Sequence, residues 1–373
     1  MDRFHIILRI SIGIYLRGFR KFLMLHIMMD ILQKMSLLVW GIILKMSKFD
    51  YTFKSMCSDI IDSGISSIGN IVRPKWGDGT DAHTYKKFAV VNRYNVGEEF
   101  PIPTQRPLAM KSCVEELLWI WQKHSNNVND LKTRIWDSWA DEQGSIGTAY
   151  GYQIGKESFY HIKSNDIVSD IQKAFPNMKY DKDECVFYHD GLGSGHKIFL
   201  NSVYDGVCLV EMNQIDKVIY DLVHTPFSRR IIAHMYNFDD LDTMNLYPCA
   251  YSCTFNVTTD TEGNKVLNLL LNQRSQDILA ANAWNVAQYS VLLHMVARHV
   301  GMLVGELVHV IADAHIYDRH VPIIQELIGR NTYDAPTFVL NQDKKDFYDF
   351  TIDDITLLNY QHGNQIKGIP IAI

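Results

Sequence analysis

Residues 246–285 read LYPCAYSCTFNVTTDTEGNKVLNLLLNQRSQDILAANAWN. Cys249 follows Pro248, whose ring restricts the backbone before it. The thiolate is the nucleophilic form of cysteine, so a reactive Cys249 requires positive charge nearby. The alternative for a single cysteine is a buried, inert thiol. Further on stand Gln273-Arg274-Ser275-Gln276-Asp277 and then Asn285. Between them, residues 266–271 form a mostly apolar run suited to a buried strand. Asn285 precedes a long apolar helix predicted over 285–300. Residues 307–312 read as a second buried strand, leading into a turn at His315.

Working outward, helical spacing is predicted over 51–61, with Gly64 as its stop. Residues 71–84 form a Gly/Asp/Pro-rich loop carrying Arg73 and Lys75. Alternation predicts a strand over 88–94. Residues 108–122 make an amphipathic helix with Val114, Leu117, Leu118 and Ile120 on its apolar stripe. Residues 149–200 read as irregular and partly helical. The run Gly191-x-Gly193-x-Gly195 within them lacks the preceding strand and following helix of a dinucleotide site. Nothing repeats with a fixed period.

Composition narrows the function class. The chain has 373 residues, 47% hydrophobic, enough for a large core. A net charge of -6 gives no global basic field, so neither DNA nor a membrane is expected as a partner. An anion site must then come from particular arginines. The six cysteines are scattered without a C-x-x-C pair, which predicts reduced thiols in the cytoplasm and no metal centre. Residues 1–45 differ from the rest, being basic and apolar with Asp2 and Asp30 as their acids. Their longest uncharged run is too short to span a bilayer, and no clear signal-peptide cleavage site follows. Two readings stay open: a basic amphipathic helix on a membrane surface, or translated upstream sequence with Met46 as the true start. From Met46 onward the pattern is that of one domain, 46–373.

The Pro-Cys pair, Q-R-S-x-D, Asn285 and Asp313-x-His315-x-Tyr317 together resemble thymidylate synthase of the folate-dependent, non-flavin, homodimeric type. The resemblance runs from about Met46 to Ile373. It implies an α/β single-domain fold on a large mixed sheet, packed face to face with a second copy and surrounded by helices. Against the family pattern, residues around 155–210 look like an insertion. The resemblance further implies reductive methylation of dUMP to dTMP, with methylenetetrahydrofolate as donor of carbon and hydride and dihydrofolate as product. No metal or flavin is implied. Cys249 would attack C6 of the uracil ring.

Other roles carry over residue by residue. Arg229 and Arg230, after Ser228, resemble paired arginines that reach a neighbouring subunit's phosphate site. Arg274 and Ser275 would join them, with Gln273 in the same substrate pocket and Arg73 as the loop arginine. Guanidinium forks suit a phosphate dianion, and their charge would favour a Cys249 thiolate. Asn285 would read uracil, accepting from N3–H and donating to O4; a helix N-terminal role is its other reading. His315 and Tyr317 would hold the deoxyribose hydroxyl. Glu116, within Glu115-Glu116-Leu117-Leu118-Trp119, would handle protons, with Glu115 the solvated neighbour. Tyr150 would lie near C5. Trp136 and Trp139 would face the folate and keep water off the reactive methylene. Asp277 would bond the pterin. Two departures stand out: Ala250 follows the cysteine in place of histidine, and Ala281 replaces a glycine. Two alternatives are a pyrimidine-nucleotide hydroxymethylase of the same fold, and a catalytically silent nucleotide- or RNA-binding homologue.

Overall fold

The computed structural model describes residues 46–189 and 196–372. The basic segment 1–45 and the glycine run 191–195 lie outside the described residues. In chain order the elements are α1 (Lys48–Ser63), β1 (Ile65–Ser66), β2 (Thr84–Asn95), α2 (Met110–Trp121), α3 (Gly151–Gly155), β3 (Ser158–Lys163), α4 (Ile167–Ala174), β4 (Lys179–Asp181), β5 (Val186–Tyr188), β6 (Lys197–Tyr204), β7 (Val207–Met212), α5 (Gln214–His224), β8 (Ile232–His234), β9 (Ala250–Thr259), β10 (Lys265–Gln273), β11 (Gln276–Asp277), α6 (Asn282–Val300), β12 (Leu303–Tyr317), α7 (Val321–Gly329), β13 (Thr337–Leu340) and β14 (Ile355–Leu358).

A mixed sheet of order β1-β2-β12-β10-β9-β8 organises the molecule, with β11 beside the end of β12. β10 and β12 run parallel, and α6 connects them. Side chains alternate faces along a strand. Leu267, Leu269 and Leu271 of β10 and Leu307, His309 and Ile311 of β12 are buried on one face. On the other face Val266 and Leu270 of β10 and Val308 and Val310 of β12 stay half-buried, and Val91 of β2 is exposed. The inner face is covered partly by α6, buried nearly all round, as expected of a helix lacking a polar side.

Local chemistry sets the ends of the elements. The Ser47 hydroxyl accepts from the Asp50 N–H at 3.1 Å and caps α1. At its other end Gly64 returns its N–H to the Ile60 carbonyl at 2.9 Å. A Cβ on Gly64 would meet that oxygen at 2.3 Å, so the stop requires glycine.

Two expectations are corrected. Residues 149–200 are not mainly irregular: with 201–212 they contain a five-stranded antiparallel sheet, β3-β7-β6-β5-β4. β4 and β5 have three residues each, too few for an apolar alternation to mark them. His315 lies not in a turn but in β12, which continues to Tyr317 because β2 and β11 both pair with that end.

Candidate active site

The motif residues meet because of strand register. Cys249 immediately precedes β9, which runs antiparallel to β10 with Ala250 opposite Gln273. The Arg274 N–H donates to the Cys249 carbonyl at 3.0 Å. Asp277 of β11 pairs with His315 of β12. The carboxyl ends of two adjacent parallel strands thus gather Cys249, Gln273, Arg274, Ser275, Asp277, His315 and Tyr317 at one end of the sheet, the usual place for a site in an α/β fold.

Cys249 is half-buried and held from two sides. Its N–H donates to the Tyr150 hydroxyl at 3.0 Å. Arg274 donates to the Pro248 carbonyl at 3.1 Å and the Tyr247 carbonyl at 2.7 Å, which brings its guanidinium to 3.7 Å from Sγ. Burial pushes the thiol up, against the opposing pull of Arg274 and Tyr150. In this single chain burial outweighs the one neighbouring arginine, so the shift runs away from the thiolate form. Burial also holds the Tyr150 phenol well above its ordinary range. Tyr150 adopts φ 47°, a strained left-handed conformation for a bulky residue. Such strain is characteristic of functional positions.

Glu116 projects from α2 into a cage of donors. Trp136 Nε1 donates to its Oε2 at 2.8 Å; Gln288 Nε2 and Trp284 Nε1 donate to its Oε1 at 2.9 and 3.2 Å. Burial raises its pKa despite these bonds, a perturbation of the kind found in groups that exchange protons. Trp136 packs edge-on against Tyr150 at 5.0 Å and Trp139 at 5.8 Å, so the cage adjoins the thiol's neighbour. Glu115, expected in solvent, is buried as well, because nearly every side of α2 is covered.

Asn285 lies in the first turn of α6 but does not open it. The helix begins at Asn282, and the Asn285 N–H already donates to the Ala281 carbonyl at 2.9 Å. Its side-chain Oδ1 accepts from Gln273 and Gln276, each at 3.2 Å. Ala281 has φ -113°, open to any residue, so replacement of glycine costs nothing in the backbone there.

Asp277 Oδ1 accepts from the N–H groups of Leu279 and Ala280 at 3.0 and 3.1 Å, which leaves Oδ2 for a donor from outside. The His320 ring sits 3.4 Å from Oδ1. His315 Nδ1 lies 3.0 Å from Asp313, and its ring meets Tyr317 edge-on at 5.1 Å. Burial and Asp277 push Tyr317 up to about 12, while the charge of Arg73 pulls it down. Arg73 therefore sits within electrostatic range of the site, on a loop anchored by Trp76, which donates to Asp318 at 3.1 Å.

Arg229 and Arg230 are not brought to Cys249 of their own chain. Both are exposed. Ile232 registers with Thr254, and the Ile231 carbonyl accepts from Phe255 at 2.9 Å, so Arg230 lies near Asn256. Asn256 lies seven positions along the chain from Cys249, roughly 20 Å at ~3.3 Å per residue. That exceeds the reach of an arginine side chain.

Trp284, Gln288, Gln276, His309 and His320 join the site without having stood out in the sequence. Trp284 and Gln288 stand one helical turn apart on a helix buried nearly all round, a signal that polar groups there need buried partners. The others carried no spacing signal.

The family model described as thymidylate synthase matches residues 51–372. The thymidylate synthase of Bacillus subtilis subsp. natto is 36% identical over 325 residues, covering 86% of this chain and 98% of that protein. The thymidylate synthase of Bacillus licheniformis is 37% identical with the same coverage. Among solved structures, thermostable thymidylate synthase A from Bacillus subtilis superposes with a TM-score of 0.69 at 35% identity, covering 87% of this chain and 99% of that one.

Proposed function

The chain belongs to the thymidylate synthase family and is a methyltransferase of that family, and on this premise we propose that it methylates dUMP to dTMP through a covalent adduct on Cys249. The observation that carries the proposal is the clamp on Cys249: Tyr150 on its N–H and the Arg274 guanidinium 3.7 Å from its sulfur. On this proposal residues 46–373 form the catalytic domain, with the second sheet an addition around 155–210.

The nucleotide phosphate is bound by Arg274, Ser275 and Arg73, joined by Arg229 and Arg230 of a second copy. Their stranding roughly 20 Å from their own thiol supports that assignment, and so does the half-bare apolar sheet face of Val266, Leu270, Val308 and Val310, which a second copy would cover. The partner's guanidiniums would add the positive charge that the single chain lacks, drawing the Cys249 pKa down toward the thiolate. The thiolate adds to C6 of the uracil, and C5 becomes nucleophilic. Asn285 donates to O4 from its amide nitrogen, while its Oδ1, expected to accept from N3–H, is already engaged by Gln273 and Gln276. His315 and Tyr317 hold the deoxyribose.

Methylenetetrahydrofolate, when bound, supplies the one-carbon unit and the hydride. The residues present fit it: Asp277 Oδ2 is open to a pterin N–H, and Trp136 and Trp139 offer aromatic surface beside Tyr150. Glu116, held up by burial, exchanges a proton at the base. Tyr150, far above its ordinary pKa, remains a neutral donor and acceptor near C5. Loss of the C5 proton lets the C5–C6 double bond re-form, which expels the thiolate.

Intact-mass spectrometry with 5-fluoro-dUMP and methylenetetrahydrofolate tests the proposal. A mass gain equal to both ligands is expected, and Cys249→Ser should abolish it together with turnover. A gain that survives the substitution would place the nucleophile elsewhere.

A further inference from the structure

Behind Asn285 lies a chain of buried amides that ends on a histidine the proposed chemistry does not use. His309, on β12, is wholly buried. It stands opposite Leu271 and so diagonal to Gln273. Its Nε2 is hydrogen-bonded to Gln273 Oε1. Gln276 Nε2 also reaches Gln273 Oε1, at 2.8 Å. Gln273 and Gln276 both donate onward to Asn285 Oδ1, and Gln276 Oε1 accepts from Asn282 at 3.0 Å.

A string of carboxamides has no intrinsic direction, since each can turn over and exchange its donor for its acceptor. Something asymmetric must fix it, and His309 is asymmetric. Burial lowers its pKa to about 3, so the ring is neutral and carries one proton. Its Nδ1 is buried without a partner among the described residues. A proton on Nδ1 would be a buried donor with nothing to accept it, and it would leave Nε2 facing Gln273 as an acceptor. A proton on Nε2 satisfies Gln273 and leaves only a lone pair unused at Nδ1. Orphaned buried N–H groups are the rarer and costlier case.

The proton therefore sits on Nε2, and the direction propagates. Gln273 must accept at Oε1 and donate from Nε2, so Asn285 must turn its oxygen inward. With Oδ1 already taking two donors, the amide nitrogen of Asn285 faces the nucleotide. We propose that His309 is a positioning residue for base selection: by its tautomer it aims an N–H of Asn285 at position 4 of the pyrimidine, which favours a carbonyl there and rejects an amino group. The proposal rests on Asn285 as the reader of the base.

Equilibrium binding of dUMP and dCMP to the full chain tests it, because the ratio of the two Kd values does not depend on the fraction of protein folded. His309→Leu removes the donor at similar volume and frees the amides to turn. The dUMP preference should fall by roughly ten- to a hundredfold, the equivalent of one unpaired donor. Asn285→Ala separates the two layers. If it leaves the ratio unchanged, Asn285 does not read the base. If it collapses the ratio while His309→Leu does not, the relay is refuted. Nitrogen NMR of the unsubstituted protein gives a second readout: His309 should show a protonated Nε2 and bare Nδ1, unchanged between pH 5 and 8. The opposite tautomer, or titration in that range, overturns the proposal.

Discussion

Replacing Trp136 with phenylalanine deletes one N–H from the cage around Glu116 and keeps most of the ring. The lost bond, Trp136 Nε1 to Glu116 Oε2 at 2.8 Å, stabilises the ionised carboxylate. Bonds to charged groups contribute about 1.5–3 kcal/mol, and 1.36 kcal/mol corresponds to one pKa unit. Glu116, already raised by burial, should therefore rise by a further ~1–2 units. The assay is the pH dependence of kcat/KM for dUMP, whose limbs report the free enzyme's essential acid and base. Whichever limb belongs to Glu116 should move toward alkaline pH, since the substitution weakens only the ionised form. Trp284→Phe acts on the other oxygen, which Gln288 also serves, through a longer 3.2 Å bond. Its shift should have the same sign and be smaller. A profile with unmoved limbs, or a larger shift for Trp284→Phe, would refute the assignment of Glu116 as the titrating group.

Mixing an Arg230→Glu chain with a Cys249→Ser chain should restore part of the activity that each lacks alone, measured after subunit exchange; no recovery in demonstrated heterodimers would assign the arginines to their own subunit. Val310→Asp puts a charge on the half-bare sheet face, twice per symmetric interface, and should shift light scattering to the monomer mass, because an unpaired buried charge costs several kcal/mol. His320 is lowered by burial but raised further by Asp277 and the Pro370 carbonyl, for a net upward shift. Its contribution to stability is then full below the unfolded pKa near 6.5 and is lost as pH rises through the higher folded value. The Tm of the unsubstituted protein should accordingly fall more between pH 6 and 8.5 than that of His320→Gln, and parallel curves would remove His320 from the balance.

The elements legible in the sequence were those with long apolar patterns. The helices around Leu117 and Val291 and the strands around Tyr94, Leu269 and Ile311 were all anticipated, with errors mainly at their ends. The ends moved because pairing sets them: β2 begins at Thr84 because Thr84 is opposite Tyr317 on β12. The second sheet is not legible in the sequence, for a physical reason. β4 and β5 are three residues each, too short for a two-residue period to emerge. In the site, the motif residues were legible one by one, but their partners were not. Trp284 and Gln288 reach Glu116 across about 170 residues of sequence, and His309 reaches Gln273 across 36. No spacing rule connects such pairs.

A second chain is expected only by resemblance, and two separate features of the fold support the proposal of one. Alternation along β10 and β12 shows which side chains share a face, but not what covers that face. The structure leaves Leu270, Val308 and Val310 half-bare on the sheet's outer side. Half-bare apolar side chains in such a row, with Asn268, Asn272 and Glu306 on the same face, suit a self-complementary interface. Separately, the antiparallel register of β8 and β9 sends Arg229 and Arg230 to the end of the sheet opposite Cys249. The thiol, pushed up by burial, has Arg274 as its close cation. One chain thus holds a thiol short of positive charge and two exposed arginines far from it. A two-fold axis through the outer face would address both deficits at once, burying the apolar strands and exchanging the arginines. If so, dissociation and loss of thiolate character are one event: in Val310→Asp, the alkylation rate of Cys249 at neutral pH should fall with the dimer fraction. An alkylation rate that stays constant while the dimer disappears would show that the partner's arginines do not activate the thiol.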